Sequence, residues 1–182
     1  VRYGSAANAT VDAGKGVMTL PALETRNMML EATPVRDLDL SVDFSLDAAP
    51  QTGNAYAGLV ARQGESENYQ VRTWLRSDGS IWLVAQRGNT VLDFEILSGL
   101  TRAAGDTFTL RMSVTGADPT TISAKLWPTG TEEPADWQLS VTDATPALQG
   151  ALPYGLHANR ASNSTTPGVF TFDEFRGIAV GE

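Results

Sequence analysis

Apolar and polar residues alternate with period two along most of the chain. No window holds apolar residues at i, i+3, i+4 and i+7 over three turns without a Gly or Pro, so helices are not expected. The alternation predicts strands over 16–20, 27–31, 37–46, 55–62, 69–76, 80–87, 90–97, 107–115, 120–128, 137–143, 154–159 and 169–180. Clusters of turn-forming residues separate them: "PQTGN", "SDG", "RGN", "AAGD", "TGADP", "PTGTEEP" and "NRASNSTTPG". Short strands at regular spacing with such punctuation predict an all-β fold, a two-sheet antiparallel jelly-roll sandwich. A single domain over residues 1–182 fits the length.

The stretch "NYQVRTWLRSDGSIWLVAQR" reads as a hairpin turning at Asp78-Gly79. A two-residue type I′ turn there would pair Ser77 with Ser80. Tyr69, Val71, Thr73 and Leu75 then share the core face with Trp82 and Val84. Gln70, Arg72, Trp74 and Arg76 share the other with Ile81, Leu83 and Arg87. That second face is mixed, and an outward Trp without a partner exposes a sizeable apolar area. In "TFTLRMSVTG" and "TTISAKLWP" the alternation turns Leu110, Met112, Ile122 and Leu126 inward and Arg111, Ser123, Lys125 and Trp127 outward. The expected core contains Tyr69, Val71, Leu75, Trp82, Leu110, Met112, Ile122, Leu126, Phe170 and Phe172.

Charge and composition narrow the function. Thirteen Lys and Arg stand against 21 Asp and Glu, for a formal net charge of -8, which disfavours nucleic acid and anionic membranes as partners. The absence of Cys removes disulfides, thiolate metal sites and thiol nucleophiles. No apolar run is long enough to span a bilayer as a helix. The chain starts at Val1 without an apolar signal core, and is expected to be a monomeric domain cut from a longer protein. Arg far outnumbers Lys, a flavour of high-GC bacterial proteins; Lys15 and Lys125 are the two lysines.

The stretches "YAGLVARQGESENYQVRTWLRSDGSIWL", "FTLRMSVTG", "AKLWPTGTEEPADWQLSVTD" and "FTFDEFRGIAV" follow one another in an order that resembles the concanavalin A-like lectin/glucanase superfamily. The resemblance is to the laminin G-like modules of bacterial extracellular proteins in particular. It implies two curved sheets packed face to face, with ligands on the concave face or the loop rim.

Catalysis is not expected. The glucanases that this chain resembles carry a Glu-x-Asp-x-x-Glu strand, whose paired carboxylates perform acid–base chemistry. Here "DLDLSVDF" has Asp37, Asp39, Ser41 and Asp43 on one face but no Glu, and "LDFEILSG" offers Asp93 and Glu95; both read as solvated strand faces. His157 is the one histidine, which excludes a multi-histidine metal centre, and no Gly-x-Ser-x-Gly elbow accompanies it. It reads as a surface residue, with ligand contact as the alternative. Trp127 and Trp137 flank a Pro-bracketed loop that they would clamp to the sandwich edge. The resemblance also brings in calcium as a structural ion at Asp173, with Asp12 nearby if the terminal strands pair.

The expectation is a non-catalytic carbohydrate-binding or adhesion module of a secreted or cell-surface bacterial protein. The alternatives are a glycosidase or polysaccharide lyase with an unrecognised site, and a spacer or protein-binding domain of an adhesin or phage tail. Arg72, Trp74 and Arg76, with Arg111, Lys125 and His157, are the candidate ligand-binding residues on one concave surface. A cationic groove there would favour acidic or hydroxyl-rich glycans.

Overall fold

The computed structural model describes residues 9–47 and 53–181, so the expected turn at 50–54 lies largely outside the described residues. Every strand expected from the alternation forms, and the terminal hairpin contributes one more. In chain order they are β1 (Ala9–Asp12), β2 (Lys15–Leu20), β3 (Thr25–Val35), β4 (Leu38–Leu46), β5 (Ala55–Ala61), β6 (Tyr69–Leu75) and β7 (Ile81–Arg87), then β8 (Thr90–Ile96), β9 (Thr107–Thr115), β10 (Thr120–Pro128), β11 (Leu139–Asp143), β12 (Leu152–Arg160) and β13 (Gly168–Ala179). A 3-10 turn, Pro146–Leu148, precedes β12.

The strands form two antiparallel sheets, ordered β1-β2-β13-β4-β9-β10-β11 and β3-β12-β5-β6-β7-β8. Their inner faces make one core. Strict alternation in β4 buries Leu38, Leu40, Val42, Phe44 and Leu46 and leaves the residues between them half-buried. In β9, Phe108, Leu110, Met112 and Val114 do the same, and Leu110 sits in register between Val42 and Leu126. Nine of the ten expected core residues are buried, and Trp82 is not.

The exception traces to one turn. Gly79 N donates to Arg76 O and Arg76 N to Ser80 O, both at 3.1 Å, so the closing pair is Arg76–Ser80 around a three-residue loop. Gly79 takes φ +86° and the Asp78 carboxylate accepts from both Ser80 N and Ser80 Oγ. A turn held by Asp78 with Gly in the left-handed position is the three-residue alternative to type I′. The register moves by one residue, pairing Leu75 with Ile81 and Trp74 with Trp82, and every side chain of β7 changes face. Ile81 and Leu83 are therefore core, Trp82 and Val84 point outward, and Arg87 leaves the Arg72 face.

Buried polar groups close one end of the sandwich. Arg62, 1% exposed, follows β5 with φ +48° and donates to Arg36 O at 2.9 Å, Leu148 O at 3.0 Å and Gly116 O at 2.7 Å, and to the Thr120 hydroxyl. Asp37 is its ion-pair partner. One guanidinium thus joins the ends of β5, β9 and β10 and the segment before β4. Beside it, Tyr69 donates to Asp143 Oδ1 at 2.8 Å, and Arg87 reaches Asp143 Oδ2 at 3.0 Å. Burial, reinforced by that carboxylate, pushes the Tyr69 hydroxyl up to about 12.

Candidate functional site

The outer face of the six-stranded sheet carries three side-chain rows across its strands. The register aligns Thr25, Asn159, Tyr56, Trp74, Trp82 and Ile96 in the first, and Asn27, His157, Gly58, Arg72, Val84 and Phe94 in the second. Met29, Gly155, Val60, Gln70, Gln86 and Val91 form the third. The rings of Tyr56, Trp74, Trp82 and Phe94 make a continuous aromatic run. Tyr56 meets Trp74 edge-on at 5.6 Å, Trp74 stacks on Trp82 at 6.1 Å, and Trp82 on Phe94 at 5.1 Å. Arg76 sits over the Trp82 ring at 4.8 Å and pairs with Asp78. The outward indole therefore has partners, and they are its neighbours across the strands.

A polar pocket of about 460 Å3 opens beside Trp74, lined by Arg72, Tyr56, Asn159 and Thr25, with Leu23 and residues 160–162 at its rim. On the other side of Trp74 lies an apolar one of about 270 Å3, lined by Trp82, Val84, Val91 and Phe94. Trp74 is common to both. The polar pocket lies at the end of the sheet opposite Arg62, because Trp74, Tyr56 and Asn159 occupy the strand ends farthest from it.

Arg72 is held in an unusual way. Its stem crosses Gly58, where an added Cβ would lie 3.3 Å from Arg72 Cγ; the β6 backbone itself requires the glycine, with Val71 O 2.6 Å from that position. Its Nε donates to Gln70 Oε1 at 2.6 Å, Gln70 Nε2 donates to Asn68 Oδ1 at 2.6 Å, and Asn68 Nδ2 to Gln63 Oε1 at 2.7 Å. The guanidinium is oriented by a relay of neutral amides. Its burial, offset in part by Tyr56, lowers its pKa to about 10, which leaves it fully charged at neutral pH.

His157 is 1% exposed, which corrects its reading as a surface residue. Its Nδ1 lies 2.7 Å from Asn27 Oδ1 and so carries the proton, leaving Nε2 a buried acceptor without a partner. Trp74 Nε1 and Gln86 Oε1, on the same face, are also buried and unpartnered. Burial, with the Arg72 charge as a smaller cause, holds the His157 pKa well below 6.5. A base with a depressed native pKa contributes stability that is present above its unfolded value and lost as pH falls. Urea unfolding should therefore show stability dropping by up to about 1.4 kcal/mol per pH unit below about pH 6.5. This should begin well before the native carboxylates protonate, and His157→Gln should flatten that decline.

Arg111 and Lys125 do not share this surface. They project from the outer face of the seven-stranded sheet, because Leu110, Met112, Ala124 and Leu126 take the inner one. Both are also neutralised there. Arg111 grips Asp39 through Nε and Nη2 and reaches Glu133 at 2.7 Å; Lys125 bonds Glu133, Pro134 O and Ala135 O. Trp137 lies against both cations, with Lys125 Nζ 4.8 Å from its ring centre.

Asp173 lies opposite Asp43 on β4 and pairs with Lys15 at 3.0 Å, while Glu174 N donates to its other oxygen. The strands β2 and β13 do pair, and that pairing brings the Lys15 ammonium to Asp173. No three Asp, Glu or His side chains converge on a common point among the described residues.

Tyr56, Asn159, Thr25 and Arg160 are pocket residues that the sequence reading did not single out, as it did not single out Gly58 beneath Arg72. A signal existed for the relay, since Asn68, Gln70 and Arg72 recur at i, i+2 and i+4. None existed for Tyr56, whose place beside Trp74 depends on how β5 pairs with β6 across a seven-residue connection.

No family model and no curated protein matches the chain by sequence. Solved structures do match in fold. The carbohydrate-binding module CBM66 from Bacillus subtilis is similar over 91% of this chain and 86% of its own, at 8% identity and a TM-score of 0.56. A legume lectin-like domain from Entamoeba histolytica is similar over 95% and 87%, at 8% identity and a TM-score of 0.61. The GH43 protein BlXynB from Bacillus licheniformis is similar over 96% of this chain at 13% identity and a TM-score of 0.67, but the chain spans only 35% of that protein. The fold is a lectin-like, concanavalin A-like jelly-roll sandwich.

Proposed function

We propose that the chain is a non-catalytic carbohydrate-binding module that holds a glycan on the outer face of the six-stranded sheet, in the pocket between Arg72 and the Tyr56–Trp74 pair. The observation that carries this reading is the joining of a polar pocket to an aromatic run through one residue, Trp74. Sugars present apolar ring faces and hydroxyl rims together, and this surface offers matching chemistry side by side. The side-chain oxygen of Asn159, whose Nδ2 donates to Glu24 O and Thr25 Oγ1, and the hydroxyls of Tyr56, Thr25 and Ser162 suit hydroxyl recognition. Fold similarity to CBM66 and to the Entamoeba lectin-like domain supports the same reading, and we infer that such a module belongs to a secreted or cell-surface protein. The laminin G-like resemblance is compatible with it. Among the described residues no carboxylate lines the pocket, so it offers no acid–base pair for glycosidase chemistry.

A glycan array followed by isothermal titration tests it. Trp74→Ala should weaken the best array hit by about tenfold, as loss of an aromatic contact does. Unchanged affinity in a folded Trp74→Ala protein would place the site elsewhere. The second reading, a protein-binding module, rests on the exposed Val91, Phe94 and Ile96 of the edge strand β8. A protein partner whose binding is lost on Phe94→Ser, in a chain that binds no glycan, would favour it.

A further inference from the structure

Among the described residues the polar pocket is lined by two arginines and by no Asp or Glu, on a chain with eight more acidic than basic residues. The surplus negative charge lies elsewhere. The ion pairs formed among the described residues leave Arg72 out, so each Nη of its guanidinium lacks a protein acceptor. Arg160 bonds the Thr166 carbonyl at 3.0 Å and, among the described residues, forms no salt bridge, although the Asp47 charge partly offsets the effect of its burial. Glu24, between the pocket residues Leu23 and Thr25 in sequence, is committed to Arg26. The contrast with Arg111 is instructive: on the opposite sheet, the same side chain is clamped by Asp39 and Glu133.

Holding Arg72 through Gln70, Asn68 and Gln63 fixes the direction of its guanidinium without cancelling its charge. A carboxylate in place of Gln70 would orient it equally well and neutralise it. Leaving a half-buried cation uncompensated costs stability, and an anionic ligand that supplies the missing partner would recover that cost. A planar guanidinium with its two terminal nitrogens free matches a carboxylate bidentately, which a hydroxyl cannot do.

Resting on the glycan-binding reading above, the structure assigns the pocket to a sugar bearing a carboxylate, a uronate or a sialate, with Arg72 reading the carboxylate and Trp74 lying beside the ring. Neutral polysaccharides are then weak ligands.

The test uses a panel of uronate- and sialate-bearing glycans, each beside its methyl ester, which keeps the shape and removes the charge. The protein should bind at least one acid, and that acid's ester about tenfold or more weakly. Arg72→Gln should abolish the difference in affinity between the acid and its ester, with melting temperatures reporting the fold. Arg72→Lys, which keeps the charge but not the fork, should be intermediate. Raising NaCl should weaken acid binding to the parent protein and not to Arg72→Gln. If esters or neutral glycans bind as tightly as acids, or Arg72→Gln binds acids normally, the carboxylate assignment is wrong while the glycan reading stands. If the folded protein binds no glycan on the array or the panel, both are wrong.

Discussion

Replacing Arg62 by Met should lower the unfolding free energy by about 3–5 kcal/mol, measured by urea denaturation at pH 7. The side chain is nearly inaccessible and satisfies the carbonyls of Arg36, Gly116 and Leu148 while pairing with Asp37. Met can fill much of the volume but donates nothing. Buried carbonyls then lose their donors, and Asp37, whose carboxyl is held below its ordinary range by Arg36, the Gly116 amide and Arg62 against the opposing effect of burial, loses a counter-charge. Because Arg62 lies at the far end of the sheet from Trp74, glycan affinity at temperatures where the variant remains folded should be unaffected. A variant that unfolds within about 1 kcal/mol of the parent would show that water replaces the guanidinium without penalty.

Leu110→Ala should cost about 2–5 kcal/mol by the same measurement, through lost transfer free energy and a cavity that the sandwich cannot close. Leu110 is fully buried, and its neighbours in register, Val42 and Leu126, belong to strands fixed by hydrogen bonds on both sides, so neither can move in to fill the space. An Ala variant with a near-parental denaturation midpoint and unchanged slope would mean that this part of the interior is loosely packed.

The face that holds the pocket was half legible. Alternation in "NYQVRTW" put Gln70, Arg72 and Trp74 on one side of β6, and they are there. The partner strand was misread because the choice between two-residue and three-residue turns at Asp78-Gly79 hinges on the side chain of Asp78 bonding Ser80, and either turn suits the dipeptide. One residue of register then decided whether Leu83 or Trp82 would stand beside Trp74. The grouping of Arg111 and Lys125 with Arg72 failed for a related reason. Outward means the same thing on every strand, but a sandwich has two outer faces, and strand order alone tells which sheet a strand joins.

By itself the sequence determined the all-β class, nearly every strand and the inward set of β4, β9 and β10, because period-two burial is a property of each strand alone. It also determined the scarcity of positive charge that makes an unpaired arginine informative. Only the tertiary structure decided which arginines keep their charge free. Arg111 and Lys125 meet Asp39 and Glu133 across the sheet and its covering loop, whereas Arg72 meets a glutamine and crosses a glycine. Charge compensation depends on neighbours brought together from distant positions in the chain, so no local pattern in the residues around Arg72 encodes it.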